Sequence, residues 1–563
     1  MECMTGAEIM VRLIERQGTR IVAGIPGGAN LPIYDALSES RRIRHVLARH
    51  EQGAGFIAQG MARVSGRPGV CLATSGPGAT NLLTAVADAM LDSVPLVCIT
   101  GQVPHAMMGK DAFQEVDIGG MSGPATKRNF LARSAEELLE IVPQAFRIAA
   151  SGRPGPVLID VPKDVQSEEC EVGSWPRPGR PDPAPPIEED GLAQAAGFIN
   201  DSDRPIMLLG GGIIHSGASE AARALAEKAS IPCAVTLMGQ GAIPPRHPLA
   251  LGMLGMHGSR GTNLAVEECD TLIVAGARLG DRATGKVAEF CPEARLVHID
   301  IDPGEIGKIR QPHVGLVGDA REALEELEGR IQRNERPDWR RTVHELQQRH
   351  PLALPGADDI GRPCGLIRAT AQFAPEDAIV ATDVGQHQMW AAQAYRIRRP
   401  RTWLTSGGLG TMGFGLPTAI GAALARPEAT VVCFSGDGSL LMNLQELATA
   451  VEQNSRVKII LMDNGELGLV RQQQELFYGN RLYESRFRAK PDFAGIARSF
   501  GMEAVDLDVC EDSHSALADA LQRPGPCLVR APISASENVF PMVPPGAANK
   551  DTIGGEVPEP VKA

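Results

Sequence analysis

The stretch SGDGSLLMNLQELATAVEQNSRVKIILMDN, residues 435–464, carries two oxygen-bearing side chains, Asp437 and Asn464, just beyond the apolar runs VVCF and VKIILM. Runs that are apolar at every position read as strands buried on both faces. Gly436 and Gly438 permit a close turn between the first run and a helix expected from about Leu441. The free N–H groups at a helix start converge and favour a phosphate. Asp437 and Asn464 then project from two strand ends as ligands of a hard cation, and Glu466 completes the shell through its backbone carbonyl. The reading is a magnesium–diphosphate site; the plainer alternative is a GDG turn and an asparagine that caps a strand.

The spacing sharpens this reading. GDG followed by 25 residues and an asparagine resembles the motif of thiamine diphosphate enzymes, with Asp463 in place of the first of two usual asparagines and the metal-binding one, Asn464, retained. Thiamine diphosphate needs a carboxylate beside N1′ of its aminopyrimidine, because that contact favours the imino tautomer whose nitrogen takes the proton from C2. IRHVLARHEQGAGFIAQGMARVSG offers one: a strand is expected to end at His50 and Glu51, with a helix of small residues after it. An ordinary charged helix start is the other reading of Glu51.

These groups need elements to position them, and the chain has ample length for that. At 563 residues it exceeds a single core, so three or four domains are expected. Two polar stretches divide it: EVGSWPRPGRPDPAPPIEEDG (171–191), rich in proline, and RNERPDWRRTVHELQQRHPLALPGADDIGRPCG (333–365), read as a surface helix plus a linker. The segments are 1–170, 190–335 and 360–563. SGRPGPVLIDVP (151–162) is echoed by QRPGPCLVRAPI (522–533), and RPGVCLATSGPGATNLLTAVADAM (67–90) by EATVVCFSGDGSLLMNLQELATAVE (428–452), so the first and third segments read as one duplicated unit. The expected fold class is α/β, three open and mostly parallel sheets with ligands beyond the carboxyl ends of the strands.

Composition excludes other classes. Net charge is −13, from 55 basic and 68 acidic residues without a basic block, which argues against nucleic acid. Eleven cysteines are scattered without a CxxC, as in a reducing compartment. MECMTGAEIMVRLIERQG reads as an amphipathic helix rather than a signal segment, and no run approaches a membrane span. A cytoplasmic protein with no membrane partner is expected.

The motifs IPGG (25–28), RHEQGAGFIAQGMAR (49–63), SGPGATN (75–81), GKDAFQEVD (109–117), LGMLGMHG (251–258), VGQHQMW (384–390), SGGLGTMGFGLP (406–417), LVRQQQELFY (469–478) and VFPMVPPGAAN (539–549) resemble, essentially end to end, the large catalytic subunit of acetohydroxyacid synthase (acetolactate synthase), in its bacterial isozyme I form. The resemblance implies Glu51 as the N1′ carboxylate and a reaction centre lined by Gly28 and Gln114, the glutamine arriving with Phe113 from the facing subunit. It implies that Gly410 accepts the 4′-amino hydrogen, that Met412 props the bent cofactor, and that Gln386 and His387, with Gly436, Gly438 and Ser439, hold the diphosphate.

For the middle segment, LLGGGIIHSG (208–217) is by itself a weak dinucleotide signal. With TLMGQG, LGMLGMHG, GARLGDR and VHIDIDP it resembles the synthase's FAD-binding domain. Gly211, Gly212, Thr236, Leu237, Met238, Met256, His257, Gly276, Arg278 and Asp300 are the flavin residues so implied, and the flavin's role is structural. Leu279 and Gly280 stand where the family has phenylalanine and aspartate, which puts flavin affinity in question. Arg282 would take the carboxylate of the second 2-oxo acid. Gln473 replaces a tryptophan that senses the larger side chain of 2-oxobutanoate, implying weak preference for that acceptor.

The implied activity is decarboxylation of pyruvate and transfer of the two-carbon unit to pyruvate or 2-oxobutanoate, giving 2-acetolactate or 2-aceto-2-hydroxybutyrate in branched-chain amino-acid biosynthesis. The implied assembly is a homodimer or tetramer with sites between subunits, joined by a regulatory small subunit. Other readings carry less. HELQQRH (344–350) spaces its histidines too widely for a zincin helix face, a GxxxxGK[ST] loop is absent, and GGLGTMGFG does not match GxGxxG. A 2-oxo acid decarboxylase, a pyruvate oxidase, a glyoxylate carboligase or an inactive scaffold remain as alternatives, separable by their products.

Overall fold

The structure, a computed structural model, describes residues 2–555. It contains three six-stranded sheets, and every neighbouring pair within them is parallel. In the first unit the strands, in chain order, are Ile21–Gly24, Arg44–Leu47, Gly69–Ala73, Leu96–Gln102, Arg128–Leu131 and Pro156–Pro162. Numbered 1 to 6, they lie side by side as 2-1-3-4-6-5. The third unit has Ile379–Thr382, Trp403–Leu404, Val431–Gly436, Val457–Asp463, Glu503–Asp506 and Cys527–Pro532, again as 2-1-3-4-6-5. The two sequence echoes fall on equivalent strands, the third and the sixth of each unit, so one α/β plan occurs twice.

The middle unit differs. Pro205–Leu209, Cys233–Val235, Ala250–Met253, Thr271–Ala275, Arg295–Asp300 and Val314–Val317 run as 3-2-1-4-5-6, the doubly wound order whose crevice opens between strands 1 and 4. Glu2–Thr5 pairs antiparallel with Glu169–Val172 beside the first unit. Helix Pro337–Arg349, expected as a surface helix, buries Trp339, Val343 and Leu346 against the middle unit. His344 lies on its open side, bonded to Gln348. Among the described residues no helix is long and apolar enough to cross a membrane.

The first and third units share one apolar core, built where helix Glu51–Ser65 lies against helix Gly415–Ala425. Glycine makes that approach possible. A Cβ on Gly60 would stand 2.1 Å from the Thr418 carbonyl oxygen, and one on Gly421 would stand 2.0 Å from that of Ile57. The helices therefore touch backbone to backbone, and about 1–3 kcal/mol of overpacking strain would attend a side chain at either point.

Two local expectations are corrected. The helix expected from Leu441 begins at Asp437 and stops at Leu440, and a second starts only at Glu446, because the intervening turns are held by local bonds such as Glu446 N–H to the Asn443 carbonyl, 3.0 Å. The strand expected to end at His50 and Glu51 ends at Leu47, and Glu51 is the first residue of its helix. The His50 side chain caps that helix by accepting from Gln52 N–H at 3.1 Å.

Candidate active site: a metal–diphosphate cradle and a buried acid

Strands 3 and 4 of the third unit deliver Asp437 and Asn464 to one sheet edge, in the register Gly436 opposite Met462. Asp437 is buried, and burial together with the nearby Asp463 carboxylate pushes it up to about 7. Asp437 Oδ2 accepts from Gly465 N–H at 2.9 Å, and Asn464 Oδ1 accepts from Glu466 N–H at 3.0 Å. Asp463 is turned aside into an ion pair with Arg530 at 2.7 Å. Its carboxylate thus serves the sheet, and Asp437 is left as the one charged ligand of the expected set. The Glu466 side chain is likewise engaged, by Arg471 at 3.1 Å and Arg486 at 2.7 Å, leaving its backbone as the group available to a metal. No cluster of three His, Cys, Asp or Glu side chains able to hold a metal occurs among the described residues; the expected shell is one carboxylate, one amide and one carbonyl.

The remaining diphosphate residues converge here. A Cβ on Gly436 would meet His387 Nδ1 at 2.9 Å, and one on Gly468 would meet Gln386 Oε1 at 2.1 Å and Asn464 Nδ2 at 2.8 Å. A Cβ on Gly438 would strike Leu467 and Phe487, and Ser439 Oγ donates to the Val384 carbonyl at 2.7 Å. His387 Nε2 and Gln386 Oε1 are buried without a partner among the described residues, and burial lowers the imidazole to about 3. A buried carboxylate wanting a cation beside unpartnered polar atoms in a glycine-lined recess fits a metal-bound diphosphate.

In the first unit Glu51 is nine-tenths buried. Its Oε2 accepts from Asn81 Nδ2 at 2.9 Å, and a Cβ on Gly78 would stand 3.2 Å from its Oε1. Gln114 holds a left-handed backbone (φ 60°) and packs on Gly76, in the same loop. Glu51 and Gln114 therefore stand on the same unit of one chain, both against segment 76–81. Gly28 has open space around it, and Phe113 is 85% exposed. Gly410 adopts φ 69° with nothing within 4 Å of a notional Cβ, and Met412 is half-buried beside it.

Residues that the sequence reading passed over hold the third unit's glycine loop. Asp92 accepts from Gly407 N–H (3.1 Å), Gly408 N–H (2.7 Å) and Arg63 (2.9 Å). Asp88 accepts from Thr411 Oγ1 (3.0 Å) and from Ser406 Oγ. An acid within the apolar helix LTAVADAML was the available signal, since buried charges are normally paired.

In the middle unit Gly210, Gly212 and Gly276 meet at the switch between strands 1 and 4. Cβ atoms on Gly210 and Gly212 would stand 2.2 Å from the Gly276 oxygen and 2.6 Å from its Cα. Those two glycines close loop on loop, whereas Gly211 faces Met238 with a clearance of 3.2 Å. Thr236 caps the turn Leu237–Gly239, and Met238 and Arg278 reach Gly407 and Gly408 of the third unit. Met256 O accepts from Val543 N–H, and buried His257, lowered to about 4, contacts the Pro541 carbonyl through Nδ1. Asp300 ends strand 5 and is raised by burial. His298 Nδ1, buried and without a partner among the described residues, is a polar atom that a ligand in this unit could satisfy. Leu279 is buried and Gly280 exposed, while Arg282 is exposed and, among the described residues, pairs only with Asp281 at 3.1 Å. Gln473 is half-buried on helix Gly468–Phe477.

Comparison with known proteins agrees with this arrangement. Residues 4–121 match the thiamine pyrophosphate enzyme N-terminal TPP binding domain, 192–327 the central domain, and 383–531 the C-terminal TPP binding domain. The chain is 56% identical to the acetolactate synthase isozyme 1 large subunit of Escherichia coli (strain K12) over 98% of both chains. It is 46% identical to the isozyme 2 large subunit of that organism, over 98% of this chain and 99% of the relative. With the chloroplastic acetolactate synthase 1 of Nicotiana tabacum it shares 44% identity over 97% of this chain and 84% of the relative.

Proposed function

Because the chain belongs to the acetolactate synthase large subunits, we propose a division of labour among its residues in the reaction of that family. The protein is a thiamine diphosphate-dependent transferase: it decarboxylates pyruvate and joins the two-carbon unit to a second 2-oxo acid, giving 2-acetolactate or 2-aceto-2-hydroxybutyrate. The end-to-end match to synthase large subunits carries this conclusion. The bound cofactor supplies the electron sink for loss of CO₂ and for formation of the new carbon–carbon bond.

The protein's part is to bind, orient and move protons. Asp437 and Asn464, with the Glu466 carbonyl, would hold Mg²⁺, and Gln386, His387 and Ser439 would hold the diphosphate. Glu51, oriented by Asn81, would share a proton with N1′ of the aminopyrimidine; Gly410 would receive the amino hydrogen and Met412 support the ring. Arg282 would bind the acceptor carboxylate, Gln114 its carbonyl, and Gln473 would set acceptor choice with Phe113.

FAD is proposed for the middle unit, supported by its 3-2-1-4-5-6 strand order and the half-buried turn at Gly211, with a structural role. A dimer or tetramer with sites between chains is supported by the exposed apolar side chains Met107, Phe113 and Met121 on the first unit and Leu441, Met442 and Val470 on the third. A regulatory small subunit would bind this assembly, and eleven free cysteines with no disulfide suit the cytoplasm.

The test is product analysis. Purified protein given pyruvate, thiamine diphosphate and Mg²⁺, with and without FAD and with 2-oxobutanoate competing, should release CO₂ and acetolactate, and only with thiamine diphosphate present. Acetaldehyde, or acetyl phosphate with peroxide, would overturn the carboligation assignment.

A further inference from the structure

Glu446 opens helix Glu446–Glu452 of the third unit and is fully buried, yet it faces the first unit. Its Oε1 accepts from the backbone N–H groups of Arg49 (2.9 Å) and His50 (3.1 Å), and its Oε2 accepts from Thr449 Oγ1 (2.6 Å). Arg49 and His50 immediately precede Glu51. Gly53, one residue into the helix beyond Gln52, makes room for this carboxylate: a Cβ there would stand 2.4 Å from Oε1. Two further bonds run the same way, from Arg44 to Gln453 and from Arg49 to Glu452. The segment 44–50 is thus laced along one helix of the other unit.

We propose that Glu446 is the positioning residue for Glu51, fixing the start of the acid's helix from the third unit of the same chain. The geometry favours this role over simple packing. A buried carboxylate is costly unless its lone pairs are satisfied, and this one is satisfied by the two N–H groups that set where Glu51 begins. Negative charge at a helix start also complements its dipole. The same turn-rich segment begins with Asp437, so Glu446 ties the segment of the expected metal ligand to the start of the Glu51 helix. With sites shared between chains, that link joins the metal half of one site to the acid of the other. The proposal rests on the reading of Glu51 as the N1′ acid.

The experiment combines backbone hydrogen–deuterium exchange on the full-length chain without added cofactor with kinetics on the loaded enzyme. Glu446→Ala should release exchange at Arg49 and His50 by about ten-fold or more. It should lower kcat at least about ten-fold while shifting the KM for pyruvate less than about three-fold, as expected for a displaced catalytic group. Glu446→Gln keeps an acceptor oxygen for both N–H groups and should restore exchange and kcat together. Gly53→Ala drives the carboxylate away without altering Glu446 and should match Glu446→Ala, so the test survives if Glu446→Ala does not fold. Wild-type exchange in a folded Glu446→Ala or Gly53→Ala variant, or released exchange with wild-type kcat, would overturn the proposal. Glu51→Gln is run alongside: wild-type turnover in it would overturn the underlying reading of Glu51, and is distinguishable because exchange at Arg49 and His50 would still follow Glu446.

Discussion

Asp160 shows how far burial can move a single group in this protein. It sits in the first unit's sheet, where the Thr100 hydroxyl donates to it at 2.6 Å and Gln102 Nε2 at 3.0 Å, yet burial still pushes it up to about 7. The folded state therefore holds this proton more tightly than the unfolded state, in which a carboxyl titrates near 4. Stability from this group is fully present below about 4 and is lost as pH rises towards 7. Asp160→Asn should flatten that slope, making the variant more stable than the parent at pH 8 by on the order of a few kcal/mol. Urea unfolding at pH 5 and pH 8 measures this, and an unchanged slope would show that Asp160 does not titrate as described. Acceptor choice, proposed for Gln473 with Phe113, is tested at one residue. Gln473→Trp should raise the ratio of acetohydroxybutyrate to acetolactate, at equal 2-oxobutanoate and pyruvate, by about ten-fold, the range that a shaped apolar pocket gives per methylene. No change in that ratio would remove Gln473 from the acceptor site.

At the scale of elements, the pair formed by helices 51–65 and 415–425 decides the most. Each presents glycine where the other's backbone arrives, so the pair tolerates no side chain at its crossing. Gly421→Ala, with its Cβ 2.0 Å from the Ile57 oxygen, should cost about 1–3 kcal/mol and lower Tm measurably. The half-buried Gly197, whose notional Cβ meets nothing within 4 Å, serves as the control: Gly197→Ala should leave Tm unchanged or raise it slightly. Equal effects at the two sites would show that the crossing is not as close as described. Sequence pattern located the third and sixth strands and their turns well, because strands apolar at every position and GDG or SGPG turns are local signals. It misplaced their ends. Asp437 opens a helix that pattern alone would start four residues later, since the turn is set by bonds of Asp437 with Gly465 and of Ser439 with Val384, in the segments that follow two other strands.

At the scale of the whole molecule, Glu51 and Asp437 belong to units joined within one chain through the 51–65 and 415–425 helices, while the apolar side chains nearest the two half-sites remain exposed. Exposure of Phe113 beside Gln114, and of Met442 on the third unit, supports the proposal that a second chain covers these faces. Complementation tests this. Glu51→Gln and Asp437→Ala should each be inactive, and refolding an equal mixture should restore about a quarter of parent activity, because half of the dimers are mixed and each mixed dimer keeps one intact site. Continued inactivity of the mixture, with mixed dimers demonstrated by mass, would place both groups of a site in the same chain.

The sequence by itself determined the class of chemistry and the plan of the chain: a hard-cation diphosphate motif, an acid before a small-residue helix, and two echoing segments around a glycine-rich middle. These are legible because ligand type, turn residues and strand apolarity depend on neighbours along the chain. Tertiary structure alone decided that the echoing units share the order 2-1-3-4-6-5 while the middle takes 3-2-1-4-5-6. It alone showed Asp463 spent on Arg530, Asp92 holding the glycine loop, and Glu446 reaching across to the amides before Glu51. Each of these joins residues far apart in sequence, and a carboxylate carries no local mark of which distant N–H it will accept from; only the packing of one unit on the other selects the partner.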